Sequence, residues 1–301
     1  MIRLLLTGAS GFLGRPILQE LADSGDYDIY AVTSGRRAVE FPKNVKTVSA
    51  NLLDRAESGK LIEEIRPEIM VHFAWDLSDS GYLKSSNNFL WLEESLFLLR
   101  TFIEAGGKYF ALAGSCSEYG TFKGFSESEQ RENNATLYGR CKSSFHTAAE
   151  KLCEINGVGY TNLRIFSTMG KGMKPGLAAT TMAVASFAAG ESFTCKAPYN
   201  IWDFISVDDV ARAVRAVVKK QYIGAVNIGS GVPNMVGDIY KAIARKMKSE
   251  HLLSLNYENK SCDINVADTN VLSNIIGYTC ADDIDGMLDD MIKSVVKSDV
   301  E

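Results

Sequence analysis

Apolar residues recur along this chain in two alternating rhythms. A short run at residues 2–6 (IRLLL) stops at Gly8, and FLGRPILQELADSG then carries apolar positions at helical spacing up to a stop at Gly25. The pattern predicts a strand, a turn and a helix. It repeats: YDIYAVT and VKTVSAN read as strands, AESGKLIEEIRP as a helix, EIMVHFAW as a strand, and residues 86–104 as a long helix. KYFALAGS is the next strand, followed by a polar loop over 117–136, a helix from about Leu137 and a strand over GYTNLRIFS. Strands separated by helical patterns predict an α/β fold with a doubly wound parallel sheet.

Beyond Met169 the rhythm loosens, with a helix through TTMAVASFAAG, a polar loop to Trp202, a helix over VDDVARAVRAVVKK and a strand over GAVNIGSG. Residues 1–168, with returning segments near 203–230, are therefore expected to form the sheet domain. Residues 169–202 and 231–301 are expected to form mainly a smaller C-terminal lobe.

Composition narrows the partners. The 301 residues are 46% apolar and 23% charged with a net charge of −5, which argues against generic binding to nucleic acid or to an anionic membrane. The opening MIRLLLTGAS is too short for a secretory signal, and no run approaches the ~18 apolar residues of a membrane span. Six cysteines without CxxC pairing point to reduced thiols and a cytoplasmic location. His72, His146 and His251 have no metal-ligand spacing and read as structural or exposed, so no metal is expected.

Chemistry begins at the first turn. Thr7-Gly8-Ala9-Ser10-Gly11-Phe12-Leu13-Gly14 lies between the first strand and helix, where bare glycines admit a pyrophosphate to a helix N-terminus. This predicts a Rossmann-type dinucleotide site. An acid about 20 residues on would accept a ribose 2'-hydroxyl, but the second strand ends in Thr33-Ser34-Gly35-Arg36-Arg37. Ser34, Arg36 and Arg37 suit a 2'-phosphate, so NADP(H) is preferred over NAD(H).

A second constellation, Tyr138-Gly139-Arg140-Cys141-Lys142, sets a phenol and an ammonium one turn apart on a helix face. The lysine, with an oxidised nicotinamide ring, is expected to bring the tyrosine pKa down from its ordinary ~10 into a working range for proton transfer.

The GxxGxxG turn followed by YxxxK resembles the extended branch of the short-chain dehydrogenase/reductase superfamily, which comprises nucleotide-sugar epimerases, dehydratases and 4-ketoreductases. Ser115, four residues before Tyr119-Gly120, fits the position of the family's catalytic serine or threonine. The resemblance extends over nearly the whole chain: Asn88, Arg164, the segment Asp203 to Val210 and the turn Asn227 to Gly231 all fit its pattern. It implies Ser115, Tyr138 and Lys142 as the catalytic group. It implies Gly8, Ser10, Gly11, Phe12, Leu13, Gly14, Asn51, Leu52, Phe73, Ala74 and Trp75 against the cofactor, together with Tyr138 and Lys142. Ser115, Ser117 and Ser167 are implied for the substrate, a nucleotide-diphosphate sugar held by the smaller lobe. Asp208 and Asp209 are expected to cap a helix and Asn227 to shape a turn.

Departures select among reactions. Dehydratases of this type place an acid two residues after the serine or threonine; here that place is Ser117, and Glu118 should project differently. Epimerases and dehydratases recycle a bound NAD, whereas Arg36 and Arg37 suit an exchangeable NADPH. Net reduction of a C4 ketone on a nucleotide-diphospho-4-keto-6-deoxyhexose, in polysaccharide-precursor synthesis, is the leading expectation. A 4-epimerase with tightly bound NAD and a non-catalytic dinucleotide-binding protein stay open. The arginine that often meets the diphosphate is replaced by Trp202, with Lys171, Lys174 and Lys196 as candidate substitutes. The apolar helix FLWLEESLFLLR (89–100) suits either the core or the interface of a homodimer.

Overall fold

The structure is a computed structural model that describes residues 1–35, 39–77, 81–120, 136–176, 178–281 and 283–298. Its first part alternates as the apolar pattern predicts: β1 (Ile2–Thr7), α1 (Gly14–Ser24), β2 (Tyr27–Thr33), β3 (Val45–Ser49), α2 (Arg55–Ile65) and β4 (Ile69–His72). It continues with α3 (Asn87–Glu104), β5 (Tyr109–Ser115), α4 (Leu137–Ile155) and β6 (Gly159–Ile165). The chain then runs through β7 (Ser167–Met169), α5 (Ala179–Ala188), β8 (Phe193–Cys195), β9 (Ile201–Ser206), α6 (Val207–Lys220) and β10 (Gly224–Ile228). It closes with β11 (Pro233–Met235), α7 (Val236–Lys246), β12 (Leu253–Leu255), β13 (Ile264–Asn265) and α8 (Ile284–Ser298).

Seven of these strands form one parallel sheet in the order β10-β6-β5-β4-β1-β2-β3. Strand periodicity explains its two hydrophobic layers. Leu4 and Leu6 point to the face covered by α1 and α6, whereas Leu5 points to the opposite face with Leu61, Leu98 and Phe145 of α2, α3 and α4. Both faces are buried, which is why these strands read as continuous apolar runs. This is the Rossmann-type doubly wound arrangement, and it turns at β1 and β4, where the strand order reverses.

The run read as one strand over 159–167 divides. β6 ends at Ile165, Phe166 N–H donates to Ile228 O, and Ser167 begins β7, which pairs with β9 instead. β9 also pairs with β11 and β13, so the segment 201–206 lies outside the large sheet. What returns to the sheet is α6 and β10. A separate core of Met169, Phe187, Phe204, Ile239, Tyr240 and Met291 gathers α5, α7 and α8 around this second group of strands.

Two local expectations are corrected. The α6 N-cap is Ser206, whose Oγ accepts from Asp209 N–H, while Asp208 and Asp209 occupy the first turn. Asn227 belongs to β10, accepting from Tyr119 O–H and donating to Asp268 O, and the turn is organised by buried Asp203. Asp203 accepts from Ser230 N–H and O–H, Gly231 N–H and Ala267 N–H. In α3, Leu98, Leu99 and Phe102 are core, but Phe89 and Leu90 are 62% and 40% exposed.

Candidate active site

The glycine turn is built by close approach. Gly8 has φ +71°, and a Cβ there would lie 2.6 Å from Phe73 C, because β1 and β4 run side by side into this turn. A Cβ on Gly14 would lie 2.0 Å from Gly8 O, so α1 can start under the turn only with glycine. Gly11 differs: its added Cβ would meet only Gly8 O, at 3.1 Å. The fold itself asks least of Gly11, and a bare backbone there matches the close approach of a phosphate.

Thr7 fastens the turn to β4. Its Oγ accepts from Phe73 and Ala74 N–H, so its own proton goes to His72 Nδ1 at 2.7 Å. His72 Nε2–H then donates to Ser95 Oγ at 2.9 Å, and burial pulls the imidazole down to about 3, keeping it neutral. The residues around the turn divide into backbone and side-chain roles. Ser10 and Gly11 are exposed, whereas Phe12 packs on the core of the second lobe and Leu13 on the sheet core. The first turn of α1 carries no acid, so backbone N–H groups of this loop meet an anion without repulsion. These features fit a dinucleotide pyrophosphate.

Just past the ends of β2 and β3, Ser34 and Asn51 are exposed, while Leu52 is 8% exposed in the core with Val32, Ala50 and Leu61. Asn51 N–H donates to Glu57 Oε2 and its own Oδ1 accepts from Leu53 N–H. Arg36 and Arg37 lie outside the described residues.

The second constellation assembles at the end of β5. Ser115 is extended, and Thr136 caps α4 through Gly139 N–H. A Cβ on Gly139 would stand 2.5 Å from Ser117 O, so the helix start packs directly on the segment after β5. The Ser115 hydroxyl accepts from Ser117 N–H at 3.1 Å and lies near enough to the Tyr138 phenol to act on its proton equilibrium. Tyr82 and Trp75 pack edge-on against the Tyr138 ring at 5.2 and 6.4 Å between centroids. Lys142 Nζ donates to Ala113 O at 2.8 Å and lies 3.7 Å from the centroid of the Trp75 ring. The Trp75 indole in turn donates to Asn88 Oδ1.

The electrostatics of the protein alone are set by burial. The Tyr138 pKa is raised far above its ordinary value, first by burial and then by Tyr82, with the Ser115 hydroxyl acting in the opposite sense. Burial also lowers Lys142 itself to about 7, opposed by Glu118. The site holds a protonated phenol.

Several nearby residues have roles that spacing did not reveal. Glu118 turns inward, 3% exposed, and pairs with Arg164. Ser117 and Ser167 are half-buried, Ser167 opposite Phe204 where β7 meets β9. Trp202 packs beside Phe204 in the second lobe. Lys171 reaches Asp208 at 3.8 Å and Asp290 at 3.6 Å, while Lys174 and Lys196 are exposed. Tyr82 lies outside every motif, and only folding brings it to Tyr138. Among the described residues, no cluster of three or more His, Cys, Asp or Glu side chains is arranged to hold a metal, and no helix is long and apolar enough to cross a membrane.

A parallel sheet with a glycine turn after its first strand and a Ser-Tyr-Lys group after its fifth defines a dinucleotide-dependent fold of the short-chain dehydrogenase/reductase type. Residues 4–229 match the NAD dependent epimerase/dehydratase family, and the chain belongs to that family. It is 26% identical over 261 residues to the ADP-L-glycero-D-manno-heptose-6-epimerase of Thiobacillus denitrificans, covering 78% of this chain and 75% of that one. It is 21% identical to the dTDP-6-deoxy-L-talose 4-dehydrogenase (NAD(+)) of Aggregatibacter actinomycetemcomitans, covering 84% and 92%. The crystal structure of the UDP-glucose 4-epimerase of Thermotoga maritima with UDP-glucose superimposes with a TM-score of 0.86 at 18% identity, over 100% of both chains. That last likeness is one of fold.

Proposed function

We propose that this protein uses NADPH to reduce the C4 ketone of a nucleotide-diphospho-4-keto-6-deoxyhexose, a step in making polysaccharide precursors. The observation that carries the reading is the meeting of Ser115, the buried Tyr138 phenol and Lys142 at the end of β5, where burial favours the protonated phenol. A reductase needs its acid in this form. A dinucleotide held by the glycine turn would supply the hydride. Tyr138 gives its proton to the alkoxide oxygen formed from the ketone, and Ser115 donates a hydrogen bond that orients the same oxygen. Lys142 is assigned to the nicotinamide ribose and to the electrostatics of Tyr138.

The glycine turn, with Ser10, Gly11 and the backbones of Phe12 and Leu13, is assigned to the pyrophosphate. Asn51 and the edge of Leu52 are assigned to the adenine, and Phe73, Ala74 and Trp75 to the nicotinamide end. Ser34, Arg36 and Arg37 support the preference for NADPH. Residues 1–168 with α6 and β10 form the cofactor-binding part, and residues 169–202 and 231–301 mainly the substrate lobe, with Ser117 and Ser167 facing the sugar. The exposed Phe89 and Leu90 on α3 support a homodimer, and the cysteines without pairing in sequence support a cytoplasmic protein.

A second reading, a nucleotide-sugar 4-epimerase with tightly bound NAD, is favoured by the family description and by the heptose-epimerase relative. A non-catalytic dinucleotide-binding protein is disfavoured by the presence of both Tyr138 and Lys142. The test follows absorbance of NADPH, with NADH in parallel, after adding a panel of nucleotide-diphospho-4-keto-6-deoxyhexoses. Stoichiometric loss of NADPH with one sugar is expected. No loss with any of them, alongside co-purifying NAD, transfers the assignment to the epimerase and removes the role of Arg36 and Arg37.

A further inference from the structure

The last three residues of β5, Ala113-Gly114-Ser115, are held from both ends by opposite charges. Lys142 Nζ takes the Ala113 carbonyl at 2.8 Å, and Glu118 Oε1 takes the Ser115 N–H at 2.8 Å. Backbone groups two residues apart in an extended strand share an edge, so the ammonium and the carboxylate grip neighbouring points of one edge. Gly114 is compressed between: a Cβ there would lie 2.6 Å from Glu118 Oε1 and 2.1 Å from Asn162 Oδ1.

Glu118 is itself locked. Its Oε2 accepts from Asn162 Nδ2 at 2.6 Å and from Arg164 Nε at 3.3 Å, both residues of β6. Arg164 Nη1 donates to Tyr119 O–H at 3.0 Å, and Tyr119 donates to Asn227 of β10. Glu118 and Arg164 are 3% and 2% exposed. A buried ion pair contributes little net stability compared with apolar residues of the same size, so its presence under Ser115 calls for another reason.

We propose that Glu118 is a positioning residue for the active site: it fixes the Ser115 backbone and sets a carboxyl group on the strand edge that Lys142 grips, as the charged partner of that buried lysine. The surroundings leave this task to Glu118. His72 on β4 is neutral, and Tyr138 and Cys116 are held protonated by burial. Cys141, on α4 beside Lys142, is also shifted up by burial. Trp75 offers Lys142 a ring face without net charge, and Arg164 is spent on Glu118. Burial drives Lys142 down to about 7, and Glu118 is the foremost charge opposing it. Without that carboxylate the lysine would lose its proton at a lower pH still.

The proposal rests on the placement of Lys142 in the active site made above, but its test needs no substrate. The Cε resonance of Lys142 is followed by NMR in protein with ¹³C-labelled lysine, assigned by its loss in Lys142→Met, while pH is varied. In the unaltered protein the resonance should titrate near 7. In Glu118→Gln the midpoint should fall by about one pH unit or more, and Glu118→Asp should return most of that shift. Should Glu118→Gln leave Arg164 unpaired and fail to fold, the double variant Glu118→Gln/Arg164→Met fills the pocket without either charge and should still titrate lower. A folded variant with an unmoved midpoint overturns the proposal, as does a loss of thermal stability alone. A lowered midpoint in a protein that turns over no nucleotide sugar overturns the reductase reading and leaves this one standing.

Discussion

The Nζ of Lys142 sits 3.7 Å from the centre of the Trp75 ring, so an ammonium buried in the protein is solvated by an indole face and one backbone carbonyl. The indole N–H is engaged with Asn88 Oδ1, which fixes the plane of the ring. Cation–π attraction in a desolvated site contributes about 2 kcal/mol. Trp75→Leu should therefore weaken binding of the nicotinamide cofactor at least about tenfold and lower thermal stability, because Asn88 Oδ1 also loses its donor. Trp75→Phe keeps a ring face and should recover most of the affinity. Fluorescence titration with NADPH and NADH, beside a thermal melt, separates the two effects.

The glycine turn yields a contrast between two single substitutions. Gly14→Ala puts a methyl 2.0 Å from Gly8 O, a backbone atom that cannot swing aside, and should destabilise the protein by about 3 kcal/mol or more. Gly11→Ala meets Gly8 O at only 3.1 Å and should melt within a few degrees of the unaltered protein. With the pyrophosphate placed at this turn as proposed, its methyl fills that approach, and cofactor affinity should drop about tenfold or more. Equal losses of stability in both variants would remove the distinction.

Tyr138→Phe deletes the proton donor and leaves the ring packed between Tyr82 and Trp75. Turnover of the substrate identified by the NADPH assay should fall about 10² to 10⁴-fold, with cofactor affinity nearly unchanged. The melt should shift by about 1 kcal/mol or less, the most a single lost hydroxyl contact is worth. Residual turnover within tenfold of the unaltered protein would assign the proton to another group.

His72 gives a pH dependence of known sign. Its folded-state pKa, about 3, lies below the ordinary 6.5, so the unfolded chain takes up a proton first as pH falls. This contribution to stability is complete above about 6.5 and is lost progressively between about 6.5 and 3, at about 1.4 kcal/mol per pH unit. The buried His146 is shifted in the same direction. Urea unfolding of His72→Gln, which keeps a donor toward Ser95, should show a shallower loss of stability over that window than the unaltered protein. Parallel curves would mean that His72 takes up its proton at the same pH in the folded and unfolded chain.

Much of this protein was legible from one dimension. The alternation of apolar runs and helical spacing located the strands of the large sheet and the helices that cover it, because a residue's burial on one face of an element repeats with that element's own period. That a glycine turn joins β1 to α1 and that Tyr138 and Lys142 share α4 was legible for the same reason: each group lies within one turn or one helix. Ser206 as the α6 cap was also available locally, three residues before Asp209.

What sequence could not decide are encounters between distant segments. Whether Ser167 extends β6 or begins another strand depends on β9, some forty residues later in the chain. That Glu118 points inward follows from Asn162 and Arg164 on β6, and that Tyr82 borders Tyr138 follows from the docking of α3 beside α4. The protonation of the active-site tyrosine was decided the same way. Spacing placed a lysine beside it, but desolvation by everything packed around both groups is what shifts them most, and that burial exists only in the folded chain.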